Sequence, residues 1–239
     1  MIYLLIEDAG SGKKFWEFLC EVLYKGTDIR VLSMENAPRL VAKVKQITDT
    51  SNFYLILHDC PYDNKISVNE HMEMSAYIRE TGNKNMFLLD LISFEFILLS
   101  FQKLYTWIGY QADMEKKEII VLAAKTFVQA VENGIFAYKD LDIIKQYISD
   151  YGSKKKVYSM ESLSASLLRN LTAYTNFAIG KSGKPGMTFD RCWVSDCCCF
   201  PAYEKLCRVN LSSVQKAELY VTQTCLVHSF KNILLKIMQ

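Results

Sequence analysis

The sequence predicts an α/β domain with a mainly parallel sheet and flanking helices over residues 1–112, followed by a mostly α-helical region over residues 113–239. Three observations carry this reading. Short apolar runs at 2–6, 29–33, 53–57 and 86–89 alternate with stretches of helical periodicity every ~25–30 residues, as in βαβ units. The runs are nearly continuous in apolar residues, as expected of parallel strands covered on both faces. After Trp107-Ile108-Gly109 the strand-like runs stop and helical spacing takes over.

The elements follow in order. Ile2–Ile6 is the first strand. Gly10-Ser11-Gly12 is a turn, with Ser11 placed to cap a helix from Lys13 whose inner face carries Phe15, Trp16, Leu19 and Leu23. Gly26 ends that helix and Ile29–Ser33 is the second strand. Pro38 suits the first turn of a helix running to about Thr48. The third strand, 53–57, ends at His58-Asp59 and leads into a polar loop, 60–65. A helix over 68–80 is stopped by Gly82-Asn83, a fourth strand covers 86–89, and one helix is expected over 94–105. Beyond the boundary, helices are expected over 116–132, 141–151, 160–179 and 213–236, with Ser159 capping the third and Ser213 opening the last. Lys181-Ser182-Gly183-Lys184-Pro185-Gly186 reads as a flexible link.

Half of the residues are hydrophobic and 13% aromatic, a composition that folds rather than stays disordered. A net charge of +2 implies no strong global field; it does not argue for nucleic acid and leaves room for a local basic patch. The apolar N-terminus is short, lacks a basic lead and meets Glu7 and Asp8 at once, so it does not read as a signal peptide. No apolar stretch approaches the ~20 residues that span a bilayer. The expectation is a cytoplasmic protein without a membrane partner.

The chemistry-bearing pattern is acidic. In parallel α/β sheets ligands gather at the carboxyl ends of the strands. Glu7, Asp8, Asp59, Asp63 and Asp90 are expected there, with Glu95 at the next helix start. Hard oxygen ligands suit Mg²⁺, and one or two such ions can activate water and stabilise a leaving oxygen in phosphoryl transfer. A further carboxylate can act as general acid or base. The plain alternative is that these acids cap helices or stand solvated in loops.

The segment Ile6-Glu7-Asp8-Ala9-Gly10-Ser11-Gly12-Lys13-Lys14-Phe15 resembles the opening motif of TOPRIM domains, and is most similar to the overcoming-lysogenization-defect (OLD) nuclease branch. Leu55-Ile56-Leu57-His58-Asp59 resembles the later strand that ends in metal-binding aspartates. Ile92-Ser93-Phe94-Glu95 is similar to the family's downstream helix-opening glutamate. The resemblance covers residues 1–105 and implies a TOPRIM/Rossmann-like fold with Mg²⁺-dependent processing of nucleic acid. It implies Glu7 as general acid/base, Asp59 and Asp63 as metal ligands, and Glu95 as a second-site ligand. Two positions depart from the pattern: Asp8 stands where the family has glycine, and Asp59 and Asp63 are four apart rather than two.

Gly10-Ser11-Gly12-Lys13 is not a P-loop: Glu7 stands where the first glycine belongs, and Lys14 where Ser or Thr belongs. Lys13 and Lys14, at a helix start, remain candidates for phosphate contact. His58 reads as loop chemistry or a metal neighbour, and His71, on a polar helix, as solvated. Of eight cysteines, Cys20 and Cys60 read as packing residues, and the other six follow residue 190, five of them within sixteen positions. Cys192, Cys197, Cys199, Cys207, Cys225 and His228 make a candidate zinc set, against the alternative of buried or redox-labile thiols. No C-x-x-C knuckle is present to fix the choice. The function expected is thus a metal-dependent, phosphodiester-cleaving protein; the alternative is a non-catalytic module on the same fold that binds a protein partner. Substrate and oligomeric state are not legible.

Overall fold

The computed structural model describes residues 1–108, 114–134, 159–173, 175, 177, 192–197, 209–227 and 230–238. The helix expected over 141–151 and the Lys-rich segments at 154–156 and 181–186 lie outside these. Four strands, β1 (Ile2–Ile6), β2 (Ile29–Ser33), β3 (Phe53–Asp59) and β4 (Met86–Leu91), form one all-parallel sheet in the order β2-β1-β3-β4. The described helices are α1 (Ser11–Leu23), α2 (Ala37–Val44), α3 (Lys65–Thr81), α4 (Phe94–Leu99), α5 (Leu104–Trp107), α6 (Met114–Glu132), α7 (Met160–Thr172), α8 (Ser213–Thr222) and α9 (Phe230–Met238), with a 3₁₀ turn at Cys225–Val227. None of these helices is long and apolar enough to cross a membrane.

The chain leaves β1 in one direction to form β2 and then crosses to the other side to form β3. The point where the order reverses therefore lies between β1 and β3, and crevices at such points are where open α/β sheets bind ligands. Alternation along the strands divides the core. Leu4, Ile6, Leu55 and Leu57 face one cluster, built with Phe15, Trp16 and Leu19 of α1. Leu5, Tyr54 and Ile56 face the other, built with Leu40, Val41 and Val44 of α2 and Met74 of α3. The first cluster is the larger and draws on both sides of residue 112: Phe127, Leu163, Leu167, Trp193, Tyr220 and Phe230 pack into it.

Several boundaries differ from those the sequence predicts. Helix α1 begins at Ser11, and its cap is Gly10 at φ 60°, in the left-handed region that glycine tolerates; no side chain caps it. Helix α3 starts at Lys65, where Asn64 caps it by accepting from the Ile66 and Ser67 N–H groups. Helix α7 ends at Thr172, before the expected 179. The single helix expected over 94–105 is broken into α4 and α5, and the one over 213–236 is broken into α8, the 3₁₀ turn and α9. The two breaks face each other. Ser100 Oγ accepts the Cys225 N–H at 3.0 Å, and the Gln102 N–H donates to the Gln223 carbonyl at 3.1 Å. Each interruption thus satisfies backbone groups the other frees, a tertiary exchange that helical periodicity does not register.

Candidate active site

Strand register sets the site. The pairing of Ile6 with Leu57 continues into a bond from the Glu7 N–H to the Leu57 carbonyl at 3.3 Å. Carrying that register two residues further sets Asp8 beside Asp59, both on the α1 side of the sheet, while Glu7 falls on the α2 side. Glu7 Oε2 accepts the Asp59 N–H at 3.4 Å, and the same carboxylate takes the Ala37 N–H at the start of α2. Asp8 is held from three sides. Trp16 Nε1 of α1 donates to its Oδ2 at 3.2 Å, and Ser33 Oγ at the end of β2 donates to its backbone oxygen at 2.6 Å. Gly12 closes the third side: a Cβ there would lie 2.5 Å from the Asp8 Cγ, so only glycine admits this approach.

Two more acids arrive on helix N-termini. Glu95 is in the first turn of α4, which Ser93 caps through the Phe96 N–H at 3.1 Å. Glu161 is in the first turn of α7, capped by Ser159 through the Ser162 N–H at 3.1 Å. The positive ends of α2, α4 and α7 thus offset part of the repulsion among Glu7, Glu95 and Glu161.

The electrostatics show five carboxyls acting on one another. Burial raises Glu7 to about 7, with the charges of Glu161 and Glu70 adding to it and the Asp59 and Ala37 N–H groups opposing it. Burial also raises Asp8 to about 7, opposed by the Trp16 bond and reinforced by Glu95, Glu7 and Glu161. Asp59 is driven well above the carboxylate range by burial, then by Asp8, Glu7, Glu95 and Glu161 in that order. Glu95 is raised by burial and by Glu161, with Arg169 opposing. Glu161, at the solvent-facing rim, is raised by burial and by Asp63. Among the described residues such a cluster has a demand for positive charge beyond that of Arg169, which protons or a hard divalent cation can supply.

Of the residues read from the sequence, Glu7, Asp59 and Glu95 come together at this edge. Asp63 goes elsewhere: its Oδ2 accepts the Met160 N–H at 2.9 Å, so it helps cap α7 and stands behind Glu161. Lys13 pairs with Glu17 at 3.3 Å on the outer face of α1, with Lys14 beside it in the same turn. Asp8, expected at the strand ends but given no role of its own, also joins the site, as does Glu161, which the sequence reading did not name. Period-two alternation from β1 onto Asp8 was the available signal for the first; nothing local marks the second.

Histidine 58 is fully buried, with Nε2 3.7 Å from Glu70 Oε2 and 4.0 Å from Glu7 Oε2. Burial and the neighbouring His71 push it down to about 4, so these are contacts of a neutral ring rather than ion pairs. His71 is not solvated: its Nε2 bonds Asp90 Oδ1 at 2.7 Å. Of the candidate zinc set, Cys199, Cys207 and His228 lie outside the described residues. Cys192 is buried and Cys197 and Cys225 half-buried, and among the described residues these three do not gather into a ligand group. Comparison with protein-family models, with curated proteins and with solved structures finds no match.

Proposed function

We propose that the chain is a divalent-metal-dependent, phosphodiester-cleaving protein of the TOPRIM-like type. The observation that supports it most is the meeting of Glu7, Asp8, Asp59, Glu95 and Glu161 at the strand-order reversal, with Asp8 and Asp59 side by side at the β1 and β3 ends. The donor set fits Mg²⁺ or Mn²⁺: all oxygen, from carboxyls that ionise when a cation takes the place of their protons. When bound, such an ion polarises a phosphoryl oxygen and lowers the pKa of water. Asp8 and Asp59 are the residues to hold it, in place of the Asp59–Asp63 pair implied by the resemblance. Glu7, with a pKa near neutrality, has the proton affinity of a general acid or base. Glu95 then serves a second ion or positions the first.

The second reading, a non-catalytic module that binds a protein partner, has one observation in its favour. Among the described residues no three carboxylates bring one oxygen each within 4.8 Å of one another, so an ion held by three of them requires the cluster to contract. Incubation of the full chain with single- and double-stranded DNA and RNA, with Mg²⁺ or Mn²⁺, separates the readings. Metal-dependent cleavage that falls ~100-fold or more in Glu7→Gln supports the enzyme, since general acid–base groups contribute on that order. Cleavage indifferent to chelator and to Glu7→Gln would come from a contaminant, and absence of cleavage with every substrate favours the module.

A further inference from the structure

We propose that His58, Cys60 and His71 form a transition-metal site of the zinc type on the α2/α3 face of the sheet, opposite Asp8 and Asp59 and bordered by Glu7. Among the described residues this is the one group of three His, Cys, Asp or Glu side chains whose ligand atoms all lie within 4.8 Å of one another. In a tetrahedral zinc site the nitrogen and sulfur ligands stand roughly 3.3–3.7 Å apart, given metal–ligand bonds of about 2.0–2.3 Å. Contraction by about 1 Å therefore brings the three into bonding range.

The local fold explains how the residues meet. His58 and Cys60 are two apart at the end of β3, so both project to the α3 side. His71 is on α3, and its ring centre lies 5.8 Å from that of His58. Asp90 is the strand neighbour of His58 in β4, and its carboxylate takes the Nε2 proton of His71. That bond fixes the ring and leaves Nδ1 as the nitrogen available to a metal, the carboxylate–histidine–metal arrangement seen at zinc sites.

The second observation is independent of the clustering. Both ring nitrogens of His58, which is fully buried, and Nδ1 of His71 are enclosed without a hydrogen-bond partner. A buried polar atom left so is destabilising, and three of them in one place call for a common partner. A metal ion supplies it. Glu70 and Glu7, at 3.7 and 4.0 Å from His58 Nε2, add the negative charge that a dication in this position needs. Imidazole and thiolate select Zn²⁺ or Co²⁺ over Mg²⁺, so this site and the carboxylate centre take different ions. Because Asp59 lies between two of its ligands, the bound metal also fixes the strand end that carries Asp59.

Titration of metal-free, full-length protein with Co²⁺ tests this. One equivalent is expected to give the intense visible bands of tetrahedral cobalt and a near-ultraviolet thiolate-to-cobalt band, both displaced by Zn²⁺. Cys60→Ser removes the thiolate band, and His71→Gln and Asp90→Asn weaken binding by ~10-fold or more, in line with loss of a ligand and of its orienting partner. Asp90 is exposed, so its variant keeps the test usable should Cys60→Ser not fold. Asp8→Asn, on the other face, leaves the cobalt spectrum unchanged. A wild-type spectrum without a thiolate band overturns the proposal. So does cobalt affinity unaltered in both His71→Gln and Asp90→Asn, which would assign the ion to cysteines beyond residue 190.

Discussion

Asp63, in the loop after β3, accepts the backbone N–H of Met160 at the start of α7. That single bond joins the sheet to a helix far downstream and, one residue on, sets Glu161 over the carboxylates of the strand ends. Asp63→Ala is expected to cost about 1 kcal/mol, the usual loss of a helix N-terminal cap. Asp63→Asn, which retains an acceptor, loses less. If Asp63 acts by holding α7 rather than by binding an ion, Mg²⁺ affinity falls only modestly in either variant. Urea denaturation and calorimetry on the same samples check both halves; a collapse of Mg²⁺ affinity in Asp63→Asn with stability intact would restore it as a ligand.

Removing charge from the cluster stabilises the metal-free protein. Asp59 and Asp8 sit together among three other carboxyls, Glu7, Glu95 and Glu161, so Asp59→Asn and Asp8→Asn relieve repulsion and desolvation together. The melting temperature without divalent ions is expected to rise or stay level in both, while the increase that Mg²⁺ gives the wild type disappears. A fall of several degrees in each metal-free variant contradicts the electrostatic picture.

The pH dependence has a definite sign. Glu7 and Asp8 hold protons up to about 7 in the folded chain, against about 4 when unfolded. The folded state binds more protons between those values, so stability falls as pH rises through the folded pKa. His58, lowered to about 4, has the opposite effect below its ordinary value and is neutral in both states above it. From pH 6.5 to 8 the carboxyls act alone, and roughly 1 kcal/mol of stability is lost without metal. Saturating Mg²⁺ flattens that slope. Thermal melts across this range check it, and a metal-free stability that climbs with pH is the contrary result.

Gly12→Ala is a test of geometry rather than charge. The new methyl would sit 2.5 Å from the Asp8 Cγ and must push that carboxylate or the first turn of α1 aside. The expected cost is about 1–3 kcal/mol, typical of overpacking, with weaker Mg²⁺ binding than Ser11→Ala, whose side chain caps nothing.

The parallel strands were legible because each is a short apolar run buried on both faces, and because Gly82 and Pro38 mark helix ends by local chemistry. Glu7, Asp59 and Glu95 were legible because position after a strand or at a helix start follows from those runs. Asp8 was harder: its place opposite Asp59 depends on β1–β3 register, which one strand does not encode. Glu161 depends on α7 docking beside α4, and the helix breaks at Ser100 and Gln223 depend on each other; both are long-range events with no periodic trace. His71 looked solvated on a polar helix because its partner, Asp90, comes from a strand formed later in the chain.

The central claim is that the β1 and β3 ends hold a divalent cation between Asp8 and Asp59. Calorimetric titration of Mg²⁺ and Mn²⁺ into the chelator-treated wild type and into the Asp8→Asn/Asp59→Asn double variant tests it most directly. The account predicts saturable binding to the wild type, at millimolar or tighter affinity and with protons released as Glu7, Asp8 and Asp59 ionise, and none to the folded double variant. A wild type that takes up neither ion, or a double variant that binds as well as the wild type, would contradict it.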